Sequence, residues 1–210
     1  MNRSALAVAT VTVFTVCPLF AQQQRQGPRY PVNPKALAAG YPGFAAPDRV
    51  IGPAIQDYAG VPTIAGAVQD SDLVVAGTVQ SVAWRPGPPP DKDPIAVVTF
   101  RSAIPLQRKP GLALKAPLVL RAGGGVAVVR GQCVFDADTG AWIEPGRNYL
   151  VFAYVASDTH DLWTGAWYAI GPDGVLRSPV DSAATAFLDG KPAAQVEAKI
   201  RAEVLREAKK

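Results

Sequence analysis

The sequence predicts an all-β domain, a barrel or sandwich of six or seven short strands with a short helical turn before it and a helix after it. Three observations predict this. Runs rich in β-branched and aromatic residues recur between residues 73 and 177. Turn chemistry separates them, at 85–94, 144–147 and 171–174. Helical signals sit at the two ends, with Thr63 placed to cap a turn over 63–70 and Val196, Ile200 and Val204 recurring every four residues near the C-terminus.

The elements follow in order. Residues 73–82 read as a first strand, and Gly77 within it marks a bulge or sharp bend. Five prolines make 85–94 a loop. Residues 95–104 form a second strand, with Ala96, Val98, Phe100 and Ile104 largely on one face, and Pro105 and Pro110 bound the next loop. A third strand covers 117–121. Gly123, Gly124 and Gly125 break it, and 126–130 resumes as a possible fourth. The turn at 144–147 precedes 148–156, the most hydrophobic strand of the domain. Residues 162–170 follow, then a hairpin-like turn and a returning strand at 175–177. Pro192 suits the first position of the last helix, and Glu197 with Arg201 adds an i,i+4 ion pair.

The flanks are of another kind. Residues 1–21 read as a cleavable signal peptide: Arg3, an uncharged apolar run from Ala5 to Phe20, then Ala21 before a polar stretch. The run falls short of the roughly 20 apolar residues that span a bilayer. Residues 22–62 read as a Pro-rich linker, with seven prolines between Gly27 and Pro62, leaving 63–210 as the folded domain. Removal of Cys17 with the signal peptide leaves Cys133 alone, so packing rather than an intrachain disulfide stabilises the domain. Between residues 22 and 190 the chain carries 14 basic and 14 acidic residues, and the basic excess lies on the C-terminal tail. A nucleic-acid binder would show a basic face on its folded body. No nucleic-acid partner is expected.

Three stretches, SDLVVAGTV (71–79), VLRAGGG (119–125) and EPGRNYLVF (144–152), together resemble the netrin/TIMP-like version of the OB fold found in exported bacterial proteins. The resemblance covers about 63–205. It implies a small OB-like barrel, ahead of the open β-sandwich that strand pattern alone also permits. Animal relatives in that family include metalloprotease inhibitors that reach a zinc ion with an N-terminal cysteine. No cysteine stands near residue 22 and Cys133 has no partner, so no inhibitory residue carries over.

Catalytic and metal chemistry finds little foothold. His160, the only histidine, sits among Ser157, Asp158, Thr159 and Asp161 at an expected turn rather than in a triad drawn from separate elements. One His and one Cys lack zinc-ligand spacing. The three glycines lack the Lys-Ser/Thr of a phosphate loop. Asp136, Asp138 and Thr139 read as a hairpin turn rather than a calcium loop. Glu144 is the sole glutamate before residue 197. The C-terminal helix, with Val, Ile and Ala on its stripe, is expected to pack on the barrel rather than lie on a membrane. No cofactor and no metal are expected. The reading is an exported non-catalytic binding module, periplasmic or extracellular, with an unidentified extracytoplasmic protein or a glycan as partner. A TIMP-like protease inhibitor and a hydrolase without a recognisable motif are the alternatives. Strict alternation over 162–170 would place Trp163, Gly165, Trp167 and Ala169 on one face, the two indoles about 13 Å apart. Trp163 and Trp167 are then either a stacking platform or barrel filling.

Overall fold

The computed structural model describes residues 49–51, 63–90, 92–178 and 187–209. The signal peptide, the linker apart from Arg49–Ile51, and the side chain of Cys133 lie outside the described residues. In chain order the elements are β1 (Arg49–Ile51), α1 (Ile64–Gln69), β2 (Leu73–Pro86), β3 (Pro94–Arg108), β4 (Val119–Gly123), β5 (Gly125–Val129), β6 (Gln132–Asp136), a 3-10 turn (Thr139–Trp142), β7 (Asn148–Val155), β8 (Leu162–Ile170), β9 (Leu176–Arg177) and α2 (Ala193–Glu207).

Five of these strands close on themselves. β2 pairs antiparallel with β3 and β7, β3 with β4, and β7 with β8. A parallel contact at Arg121↔Trp163 joins β4 to β8 and completes the ring. The cyclic order β2-β3-β4-β8-β7 is that of a small OB-like barrel. Closure requires the long hairpin to curl. β2 does so through register shifts at Val74/Val75, Thr78/Val79 and Val79/Ser81. Gly77 stands beside them for a steric reason: a Cβ there would lie 2.3 Å from the Ser102 carbonyl oxygen.

The interior is filled by Leu73, Val75, Val98, Leu120 and Val151 around an aromatic centre. Trp167 stacks on Phe100 at 5.9 Å, and Tyr149 meets it edge-on at 5.5 Å. A second core lies outside the barrel, where Val74, Leu150, Phe152 and Tyr168 receive Val68 of α1 and Val196 and Ile200 of α2. That double covering explains why residues 73–75 are apolar without alternation: both faces of β2 are buried there. Thr63 caps α1 by accepting the Gly66 N–H at 3.0 Å. Pro192 stands one position earlier than expected, at the N-cap of α2, and its carbonyl accepts the Val196 N–H.

Other differences have local reasons. β3 continues through Pro105 to Arg108, because Pro105 falls opposite Val75 at a register shift, where a missing N–H is tolerated. Asp136 and Asp138 are not a hairpin turn. β6 ends at Asp136, and Asp138 caps the 3-10 turn by accepting the Thr139 N–H at 2.7 Å. β6 itself was not expected. Within the linker span, β1 pairs in parallel with it, from Arg49↔Val134 to Ile51↔Asp136.

The 144–147 turn is fastened to the barrel at both ends. Gly146 donates to the Val79 carbonyl, and Val79 donates back to that of Arg147. The buried Tyr149 hydroxyl accepts the Glu144 N–H at 2.9 Å. Burial pushes its pKa up to about 12.

Candidate ligand-binding face

Strand alternation decides which side chains leave the barrel. On β4, Leu120 and Ala122 enter the interior, so Val119 and Arg121 point outward. On β3, Ala96 and Val98 are interior, and Val97 and Thr99 are outward. β8 changes phase part-way. Phe152 faces Ala166, but Ala153 faces Thr164, which leaves Gly165 as an extra residue in a bulge.

The bulge corrects the alternation expected from the sequence. Trp167 is paired with Val151 and lies in the barrel core, 1% exposed. Trp163 is paired with Tyr154, which is 42% exposed, and points outward with it. The two indoles therefore occupy opposite faces and form no common platform.

The neighbour that sequence reasoning missed is Tyr154. Register aligns Val97 with Arg121, Arg121 with Trp163, and Trp163 with Tyr154. These four side chains stand on four adjacent strands in the order β3-β4-β8-β7. They make a row of one aliphatic, one cationic and two aromatic groups across the barrel wall. Directly opposed side chains have Cβ atoms about 5 Å apart, close enough for Trp163 and Tyr154 to act together. Thr99 and Val119, themselves paired, lie alongside.

The charge in this row is matched. Arg121 Nη2 lies 2.8 Å from Asp161 Oδ2, with both side chains half-buried. Asp161 is delivered by the tight turn between β7 and β8. There the Ala156 N–H bonds to the Asp161 carbonyl and the His160 N–H to that of Ala156. His160 takes φ 55° in this turn and is exposed. Its acidic neighbours are engaged elsewhere, Asp158 with the Thr159 N–H and Asp161 with Arg121. The cluster does chain-turning work.

A second polar region lies where β1, β5 and β6 meet the tip of the β2–β3 hairpin. Gly124 and Gly125 have φ of 97° and 117°. The Trp84 indole lies against Gly125, where a Cβ would come within 2.3 Å of the ring, and its N–H donates to the Gly140 carbonyl at 3.1 Å. A Cβ on Gly124 would meet the Asp138 backbone at 2.5 Å. The glycines thus admit the Trp84 indole and the Asp138 backbone. Asp136, 7% exposed, accepts the Asp138 N–H at 3.1 Å. Burial chiefly, then the nearby Asp138 and Asp93, raise its pKa to about 7. Burial also raises that of Asp138. Among the described residues no group of three or more His, Cys, Asp or Glu side chains is arranged to hold a metal ion.

Comparison with protein-family models, with curated proteins and with solved structures finds no match, so the outward row rests on its own geometry.

Proposed function

We propose that this chain is an exported, non-catalytic binding module that contacts its ligand through the outward row Val97, Arg121, Trp163 and Tyr154. The observation that carries the reading is the register itself. Two aromatic side chains and an ion-paired arginine are set side by side on a closed barrel wall. The helices α1 and α2 pack on another part of the outer wall, and on this one Tyr154 and Val119 are exposed. OB-type barrels commonly bind on the sheet face between their second and third strands, here β3 and β4, which is an analogy of fold and names no ligand. Export rests on residues 1–21 and the resemblance to netrin/TIMP-like proteins on the three short motifs. Among the described residues no helix is long and apolar enough to cross a membrane.

The test is a binding screen of mature protein against immobilised polysaccharides and a bead-displayed peptide library. Tyr154→Ala should weaken retention about tenfold or more, whereas Leu205→Ala, at an exposed position on α2, should leave it unchanged. Retention that survives Tyr154→Ala and Trp163→Ala together would refute this face as the binding surface.

A further inference from the structure

The outward row also constrains the chemistry of its ligand. Neighbouring strands are about 4.8 Å apart, so three strand spacings carry the row from Val97 to Tyr154 over about 14 Å. That is longer than a single sugar ring or amino-acid side chain needs, and it runs across the strands rather than along one.

An extended peptide would ordinarily be held by adding itself to a free sheet edge. Among the described residues the row itself presents no such edge: β3 pairs with β2 and β4, β7 with β2 and β8, and β4 meets β8 at Arg121↔Trp163. Recognition therefore falls to side chains. Trp163 and Tyr154 offer aromatic faces with negative quadrupole, which suit the weakly positive C–H face of a pyranose ring. Beside them, Arg121 supplies donors and Asp161 acceptors. Hydroxyl groups need both, since each donates one proton and accepts through its lone pairs. A polyanion would compete with Asp161 for Arg121 and meet repulsion from that carboxylate. The rest of the body offers no compensating excess, with 14 basic and 14 acidic residues between positions 22 and 190.

We infer that the ligand is an uncharged oligosaccharide laid across β3, β4, β8 and β7, with sugar rings on Trp163 and Tyr154 and hydroxyls on the Arg121–Asp161 pair. This rests on the binding reading above. Its test is native affinity electrophoresis of the mature protein in gels holding xylan, glucomannan or mixed-linkage β-glucan, with polygalacturonate as the polyanion and the peptide library run in parallel. At least one uncharged polymer should retard the wild type, and added salt should not relieve it. Trp163→Ala and Tyr154→Ala should each weaken retardation about tenfold or more, the size of one lost stacking contact. Trp163→Phe, which keeps a ring, should retain part of it and guards against misfolding of the alanine variant. Salt-sensitive retention by polygalacturonate alone, or peptide capture that depends on Trp163 and Tyr154, would overturn the assignment of an uncharged oligosaccharide while sustaining the face. Failure of every probe to respond to these two residues would overturn both.

Discussion

Trp163 and Trp167 stand four residues apart on one strand, yet one serves the outer wall and the other the interior. Trp167 is 1% exposed and packed between Phe100 and Tyr149. Trp163 is half-buried beside an exposed tyrosine. The difference comes from a single extra residue, Gly165, which advances the strand by one step and exchanges its faces. Side-chain type thus says little about role on a barrel strand. Phase decides it.

The largest effect that separates the two indoles is on stability. Trp167→Ala should lower unfolding free energy by about 3–5 kcal/mol, because it opens a cavity among close-packed aromatics. Trp163→Ala should cost about 1 kcal/mol or less. Urea denaturation of both variants checks this, and equal losses would dissolve the contrast between wall and interior. Trp167 carries a further mark of its position: its buried indole N–H has no hydrogen-bond partner among the described residues.

Two carboxylates extend the comparison to charge. Asp72 accepts from Lys109 Nζ at 2.7 Å and from the Val155 N–H at 2.8 Å, and these bonds lower its pKa. Asp136 is raised to about 7 by burial. Their linkages have opposite sign. Asp136 binds its proton more tightly folded than unfolded. Its contribution is therefore fully present below about pH 3.8, shrinks as pH rises, and is gone above about 7. Asp72 contributes above its ordinary value of 3.8, and loses that contribution as pH falls through its lowered folded value. Asp136→Asn should remove the decline between pH 4 and 7, raising stability at pH 8 by about 4 kcal/mol relative to wild type. Chemical denaturation across pH 4–8 measures it. A wild-type curve that rises through this window, and keeps its slope in Asp136→Asn, would contradict the assignment.

The smallest effect tests whether Gly165 acts by count or by chemistry. A Cβ there would meet nothing closer than 3.8 Å, and its φ is not in the left-handed region. Gly165→Ala should therefore change stability by about 0.5 kcal/mol or less and leave Trp163 outward. A large loss would mean that the bulge needs glycine itself.

Several parts of this molecule were legible because their chemistry is local. Thr63 announces a helix start because its hydroxyl meets an N–H three residues away. The bounds of β8 coincide with the apolar stretch between two turn signals. The 144–147 turn carries its own glycine at positive φ and its own Glu144–Arg147 ion pair at 2.8 Å. By contrast, β1 was hidden in a proline-rich stretch, since three residues gain strand character only when β6 lies beside them. Tyr154 gave no sign of its place in the proposed row, because register with Trp163 on another strand sets that place.

From the sequence alone came the mostly β character, the helical ends and most turn positions, each set by interactions among residues close in the chain. The tertiary structure decided the closure of β4 on β8, the burial of both faces of β2, and which tryptophan looks outward. Those outcomes depend on register between strands distant in sequence. One bulged residue reverses a face there without altering any local propensity.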